Sequence, residues 1–235
     1  MQLFCFTHAG GTAAFFDSLE KACRPEIEVV KLEYPGHGTR RKEKLPYTIH
    51  ELSLDLYEQM REKYMGGKYA LFGYSMGSIA AVEVLRYLTE KDELPQPEYI
   101  ILAAHQPNIV VNLNECDSKE TDEYVKNRTI RFGGIPQQLI DNKIFWRTYI
   151  PLLRADYLMV HRYDFKKLQF TSYIPALLFY SQEDIPKAEM EQWKRYFTGN
   201  CEFVEYTGGH FFINKHCEEM AALIKERLGC AAGDL

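Results

Sequence analysis

Residues 69–88 read YALFGYSMGSIAAVEVLRYL, and this stretch decides the fold. The first six residues are apolar or aromatic, as in a buried strand, whereas the run after Ser75 is typical of a helix. Between them stands Gly-x-Ser-x-Gly, in which Gly73 and Gly77 allow a sharp turn and close packing of helix on strand. The arrangement predicts that Ser75 presents its hydroxyl at the edge of a sheet as a nucleophile. The alternative is a structural glycine turn with a buried serine.

Short apolar runs alternate with helix-like segments along the chain. We expect strands at LFCF (3–6), IEVVKLEY (27–34), YALFGY (69–74), YIILAA (99–104), ALLFY (176–180) and CEFVEY (201–206). Several of these runs are continuously apolar, as parallel strands covered on both faces are. Helices are expected at 48–64, 76–91 and 215–228, and the first begins with a capping box from Thr48 to Glu51. The alternation predicts an α/β fold with a mostly parallel sheet flanked by helices.

Residues from about 112 to 165 interrupt this alternation. The stretch is helix-like throughout, apart from a break at 133–136, and it is too long for a simple crossover between two strands. We therefore expect an inserted helical lid over the sheet, within a single domain that spans residues 1–235.

The composition is that of a soluble globular protein. A formal net charge of −5 gives no reason to expect a nucleic acid partner, and no apolar run approaches the ~18 residues of a membrane helix. The cysteines are scattered, with no CxxC pair and no zinc-ligand spacing, which favours reduced thiols and no metal site. Because the start, MQLFCFTHAGG, lacks a basic region, we expect no signal peptide and a cytoplasmic protein.

A serine nucleophile needs a base, and the histidines differ in their positions. His210 follows the last expected strand, in a loop opened by the glycine pair 208–209, and is the expected base. His216 lies in the next helix and is expected at the surface. His8 and His37 lie on early loops and are expected to line the site. The remaining histidines are expected to be structural: His50, His105 and His161.

The acid that orients the base is expected between the serine and the histidine, after a late strand. Asp184 ends the run PALLFYSQED, next to Glu183, and is the expected acid. Asp156, in LRADY, is the alternative, although within the lid an ion pair with Arg154 or Arg162 is the simpler explanation for it. The chain order serine, aspartate, histidine is that of α/β-hydrolases.

Backbone N–H groups near the nucleophile are expected to form the oxyanion hole. The amide of Met76, directly after Ser75, is one expected donor. The second should come from the loop after the first strand, THAGGT (7–12), through Ala9 or Gly10. The alternative for this loop is a plain tight turn, because glycine pairs are common.

Together these stretches resemble the type II thioesterases that accompany non-ribosomal peptide and polyketide synthases. The resemblance spans nearly the whole chain and rests on FTHAGGTAAFF (6–16), YPGHGTR (34–40), LFGYSMGS (71–78), PLLRADY (151–157), SQEDIP with its following tryptophan (181–193) and GGHFF (208–212). Two positions depart from the family pattern, since Tyr74 stands where histidine is common and Thr7 where proline is frequent. We expect Tyr74 only to line the turn, and Thr7 to adjust the oxyanion loop slightly.

The resemblance implies an α/β-hydrolase core with a mobile helical lid. It places nucleophile, acid and base on Ser75, Asp184 and His210. It places the oxyanion amides near Ala9 and on Met76. Family substrates are acyl groups held as thioesters on the phosphopantetheine arm of an acyl or peptidyl carrier protein, and the usual task is removal of stalled or misprimed groups. Release of medium-chain fatty acids from a fatty-acid synthase is a related role, no metal or organic cofactor is required, and a monomer is expected.

The expected lid suggests where substrate and partner bind. Its aromatic residues are candidates for an acyl channel, with packing inside the lid as the alternative: Phe132, Phe145, Trp146 and Tyr149. Carrier proteins are generally acidic near the pantetheine attachment site, so a basic rim would help docking. The candidates for this rim are Arg40, Arg41, Lys42, Arg128 and Arg131.

Two other functions remain open at this stage. The same three residues would cleave an oxygen ester, so a small-molecule carboxylesterase is the first alternative. The second is a non-catalytic α/β-hydrolase-like binding module, against which the intact set Ser75, Asp184 and His210 argues.

Overall fold

The computed structural model describes residues 1–107 and 121–230. Six strands form one sheet: β1 (Gln2–Phe6), β2 (Glu28–Lys31), β3 (Tyr69–Tyr74), β4 (Tyr99–Ala103), β5 (Ala176–Tyr180) and β6 (Cys201–Glu205). The strand order is β2-β1-β3-β4-β5-β6, and each of these neighbouring pairs is parallel. The predicted α/β architecture with a parallel sheet is confirmed.

Helices flank the sheet. They are α1 (Asp17–Cys23), α2 (Ile49–Lys63), α3 (Met76–Lys91), α4 (Asp122–Phe132), α5 (Gln137–Ile140), α6 (Lys143–Arg162), α7 (Lys187–Met190) and α8 (Ile213–Arg227). Successive side chains of a strand point to opposite faces, so Leu71 of β3 packs in the core with α2 and α3, whereas Phe72 packs in the core with α1 and α8. Both faces are therefore buried, which explains the continuously apolar strands.

Helices α4, α5 and α6 lie between β4 and β5, where the helical insertion is expected. The first part of the expected insertion, residues 112–120, lies outside the described residues. Helices α4 and α6 pack together around Val125, Trp146 and Leu153. Gly133 ends α4 with a positive φ of 82°, which accounts for the break in the helical pattern.

The carboxyl ends of all six strands lie along one edge of the sheet because the strands are parallel. The loops after β1, β3, β5 and β6 therefore meet there, although they are far apart in sequence. In the described ranges, no helix has the length and apolar character needed to cross a membrane, and the cysteines placed there are free thiols.

Candidate active site

Ser75 occupies the sharp turn between β3 and α3. Its backbone angles are φ 55° and ψ −121°, a conformation that residues other than glycine rarely adopt. A Cβ on Gly73 would overlap the backbone of Gly77 and Ser78, and one on Gly77 would overlap the carbonyl oxygen of Phe6. The two glycines are therefore needed for close approach of backbones. The turn leaves Ser75 at the start of α3, where the helix dipole favours negative charge.

The predicted serine, histidine and aspartate meet at this edge of the sheet. Ser75 Oγ lies 2.9 Å from His210 Nε2, and His210 Nδ1 lies 2.8 Å from Asp184 Oδ2. The side chains of His210 and Asp184 are only 8% and 10% exposed, so water competes little for the bond between them. A proton held on Nδ1 by the carboxylate leaves Nε2 free to accept the serine proton. The geometry is that required to activate a serine hydroxyl.

Three polar side chains hold the loop that carries His210. The Tyr74 hydroxyl donates to the His210 carbonyl oxygen at 2.7 Å, so Tyr74 does more than line the turn as expected. Glu183 Oε1 accepts the Gly208 N–H at 2.9 Å, and the Ser181 hydroxyl donates to the Gly208 carbonyl. The only signal for Tyr74 in the sequence is its place in the Gly-x-Ser-x-Gly turn, where the family commonly has histidine.

Two further histidines near the site are held neutral. His8 lines the site as expected, and its ring packs against those of Phe15 and Phe211 at 4.6 and 4.9 Å. Burial, together with the electrostatic effect of His210 and His37, lowers the pKa of His8 to about 4. Burial likewise lowers the pKa of His105 to about 3. Neither imidazole carries a positive charge at neutral pH.

Asp156, the alternative acid, does not contact His210. Its carboxylate is fully buried; Oδ2 lies 2.9 Å from His37 Nε2 and accepts the Gly10 N–H at 2.6 Å. The expected ion pair between Asp156 and an arginine is wrong, because the partner of Asp156 is His37 and Arg154 instead pairs with Asp122. Burial acts to lower the pKa of His37, but the hydrogen bond and charge of Asp156 outweigh burial and raise it.

The expected oxyanion donors both border Ser75. Met76 is the first residue of α3, so its N–H is one of the amides that the helix leaves unpaired. Ala9 lines the cavity beside Ser75. Within the described residues neither amide donates a hydrogen bond, whereas the Gly10 N–H is already bonded to Asp156. Of the two residues expected in this loop, Ala9 is thus the one with a free donor.

A cavity of about 130 Å³ opens beside Ser75 and is mainly apolar. The Phe132 ring lies in its wall, 4.5 Å from the His210 ring. Phe145 and Trp146, expected to line an acyl channel, do not line this cavity: they lie near the start of α6, about one turn before Tyr149. The Trp146 indole instead donates to the Ile140 carbonyl at 2.7 Å. The lining residues are His8, Ala9, Phe15, Ser75, Thr129, Phe132, Gly133, Gly134, Ile135, Tyr149, Leu153, Tyr157, His210, Phe211 and Asn214.

A wider groove of about 670 Å³ reaches the other side of His210 and Asp184. Arg128 and Arg131 of α4 line it, together with the acidic residues Glu123, Glu183 and Asp184. Arg40, another candidate for the basic rim, does not: its guanidinium is engaged by Asp55 and Glu43. The other rim candidates, Arg41 and Lys42, line neither the cavity nor the groove. Across residues 1–107 and 121–230, no group of three or more His, Cys, Asp or Glu side chains is placed to hold a metal ion.

Comparison with known proteins finds thioesterases similar to this chain. The chain is 24% identical to the thioesterase PikA5 of Streptomyces venezuelae over 231 residues, covering 97% of this chain and 81% of that protein. It is 28% identical over 222 residues to the medium-chain S-acyl fatty acid synthase thioesterase of Homo sapiens, covering 90% of this chain and 80% of that protein. The structure of the type II thioesterase BorB from the borrelidin biosynthetic cluster aligns with a TM-score of 0.80 at 26% identity, covering 97% of this chain and 92% of that chain.

The sequence model of the thioesterase domain family matches residues 1–228. The match includes the loop after β1, the turn at Ser75 and the loop that carries His210. Because it extends over nearly the whole chain, this protein belongs to the thioesterase domain family.

Proposed function

We propose that this protein is a type II thioesterase that hydrolyses acyl groups from the phosphopantetheine arm of a carrier protein, and so removes stalled or misprimed groups from a peptide or polyketide synthase. The observation that carries the proposal is the hydrogen-bonded series Ser75–His210–Asp184, at 2.9 and 2.8 Å, in a chain of the thioesterase family. Relatives named as thioesterases, one of them from the borrelidin biosynthetic cluster, support the assignment.

The first half of the proposed reaction transfers the acyl group to the enzyme. Ser75 Oγ attacks the thioester carbonyl carbon while its proton passes to His210 Nε2, and Asp184 stabilises the resulting imidazolium. The amides of Ala9 and Met76 hold the oxyanion. The tetrahedral intermediate then collapses: the C–S bond breaks, the pantetheine sulfur takes the proton from His210, and an acyl-serine remains.

The second half releases the acid. His210 takes a proton from a water molecule, whose oxygen attacks the acyl-serine carbonyl carbon. When this intermediate collapses, the bond to Ser75 Oγ breaks and the serine recovers its proton from His210. The free carboxylic acid leaves, and every proton transfer uses a protein group or water, so the proposed mechanism requires no metal or organic cofactor.

The two spaces around His210 suggest how the substrate lies. The apolar cavity, with Phe132 in its wall, suits the acyl chain. The groove with Arg128 and Arg131 suits the approach of an acidic carrier protein and its phosphate-bearing arm. In this proposal helices α4 to α6 form the lid, and the protein acts as a monomer with the carrier protein as its partner.

The decisive experiment uses carrier proteins loaded with acetyl or longer acyl groups, followed by intact mass spectrometry. Wild-type protein should remove the acyl mass and leave the free pantetheine thiol, whereas Ser75→Ala should leave the acyl group in place. If wild-type protein cleaved a small oxygen ester but left every acyl carrier protein intact, the carboxylesterase alternative would replace the proposal.

A further inference from the structure

The loop after β1 forms a turn at residues 8–11, which fixes the orientation of its peptide units. The His8 carbonyl accepts the Gly11 N–H at 2.9 Å. In a planar trans peptide the N–H points away from the C=O of the same unit, so the Ala9 N–H points out of this turn. Since Ala9 also lines the cavity beside Ser75, the direction of its N–H is set by the turn formed by residues 8–11.

Helix α6 forms hydrogen bonds with this turn at both the N–H and the carbonyl of Gly10. The Gly10 N–H donates to Asp156 Oδ2 at 2.6 Å, and the Gly10 carbonyl accepts a hydrogen bond from the Tyr149 hydroxyl. Tyr149 and Asp156 are seven residues apart, about two helical turns, so they lie on one face of α6. The side chain of Leu153, between them on that face, also lies against Gly10.

Asp156 is itself held by the buried ring of His37. His37 Nδ1 faces the Pro35 carbonyl oxygen at 3.0 Å and Nε2 faces Asp156 Oδ2 at 2.9 Å. Both of these partners only accept hydrogen bonds, so both ring nitrogens must carry a proton when Asp156 is ionised. Both side chains are completely buried. The pair thus anchors α6 to the loop after β2, and Oδ2 is the carboxylate oxygen that makes both contacts.

We propose that Asp156 is a positioning residue for the oxyanion hole: with Tyr149 and His37 it holds the turn 8–11 so that the Ala9 N–H faces the reacting carbonyl. The inference rests on the proposed function, because it assigns a role in stabilising the oxyanion formed at Ser75. In this proposal α6 must keep its contacts with the turn throughout the catalytic cycle. A contact made far from Ser75 in sequence therefore controls the rate of the chemical step.

The test compares Asp156→Asn, Asp156→Ala and Tyr149→Phe with the wild type. Losing an oxyanion donor costs about 100-fold to 1,000-fold in kcat, so a misdirected Ala9 amide should cost about 10-fold to 100-fold in Asp156→Ala. Asp156→Asn keeps an oxygen for the Gly10 N–H but loses the ion pair, and should lie between Asp156→Ala and wild type. Tyr149→Phe removes one hydrogen bond without leaving a charge unpaired, so it keeps the test open if the Asp156 variants fold poorly.

Two readouts separate positioning from folding. One is the rate of covalent labelling by a fluorophosphonate, whose phosphoryl oxygen occupies the oxyanion hole; the other is kcat and KM for a p-nitrophenyl ester. Rates are divided by the folded fraction from urea unfolding. Tyr196→Phe is the matched control, because it removes a buried tyrosine hydroxyl that donates to the Phe165 carbonyl, away from the site.

We expect slower labelling and lower kcat in the Asp156 variants and Tyr149→Phe, but not in Tyr196→Phe. KM should stay nearly unchanged in the Asp156 variants, because Asp156 does not line the cavity. If the fluorophosphonate labels the wild type and the Asp156 variants react at the wild-type rate per folded molecule, this inference is overturned while the proposed function stands. A folded wild type that the fluorophosphonate does not label would overturn the proposed function, and this inference with it.

Discussion

Replacing Tyr74 by phenylalanine should slow catalysis without touching any of the three reacting side chains. The Tyr74 hydroxyl is buried and donates to the His210 carbonyl at 2.7 Å. Burial holds the pKa of Tyr74 well above its ordinary value, so the hydroxyl remains protonated and continues to donate. Tyr74→Phe removes only this oxygen and leaves the carbonyl of the base without its donor.

The size of the effect follows from the buried hydrogen bond. Leaving a buried acceptor unpaired costs about 1–3 kcal/mol, which should appear as a lower free energy of unfolding. A loss of about 1.4 kcal/mol in the energy that keeps the His210 loop in its reactive position lowers the rate about tenfold. A tenfold loss is smaller than the ~100-fold to 10,000-fold contribution of a general base, as expected when the base is displaced but still present.

The assay measures kcat for a small acyl thioester and the free energy of unfolding in urea. Tyr196→Phe is again the matched control, since its hydroxyl also donates to a backbone carbonyl, at 3.0 Å, but Tyr196 lines neither the cavity nor the groove. Both variants should lose similar stability, and only Tyr74→Phe should lose activity. An unchanged kcat in Tyr74→Phe, or an equal fall in both variants, would refute the positioning argument.

Three further predictions concern pH, docking and packing. Burial lowers the pKa of His105 from 6.5 to about 3, so the unfolded state takes up the proton first as pH falls below 6.5. His105 therefore lowers the free energy of unfolding by about 2 kcal/mol between pH 7 and pH 5. In urea unfolding, His105→Leu should lose about 2 kcal/mol less than wild type over this range, whereas the loss due to the low pKa of His8 should remain; equal losses in both proteins would contradict the assignment. Arg131→Glu should raise the KM for an acidic carrier protein about fivefold at low salt and leave hydrolysis of a small ester unchanged, whereas Lys44→Glu, at an exposed position outside the groove, should affect neither. Gly77→Ala places a Cβ against backbone carbonyls at the end of β1 and should lower the free energy of unfolding by about 3 kcal/mol. The control Gly209→Ala has open space around its Cβ and should lower it by less than about 1 kcal/mol. Comparable losses in both variants would contradict the packing argument.

Local features of the sequence were enough to predict the architecture and the three central residues. Strands such as β3 and helices such as α3 follow from apolar runs and helical periodicity, which act over a few neighbouring residues. Since parallel strands end at one edge, the loops after β3, β5 and β6 had to meet, and the order of Ser75, Asp184 and His210 then followed. The structure brings these three side chains within hydrogen-bonding distance.

Only the tertiary structure decided which partner each remaining polar group takes. Asp156 lies 119 residues from His37 and 146 from Gly10, and Tyr74 lies 136 from His210. No local pattern encodes such pairs, because they depend on how α6 and the His210 loop are seated on the sheet.

The same limit applies to the acyl cavity. An aromatic-rich segment predicts burial but not direction, since each helical step turns the side chain by about 100°. The seating of α6 turns Tyr149 and Leu153 towards Ser75, while Trp146 is buried near α5. The sequence by itself therefore determined the elements and the order of the reacting groups, which depend on local forces, whereas long-range packing decided what orients those groups and which side chains surround the substrate.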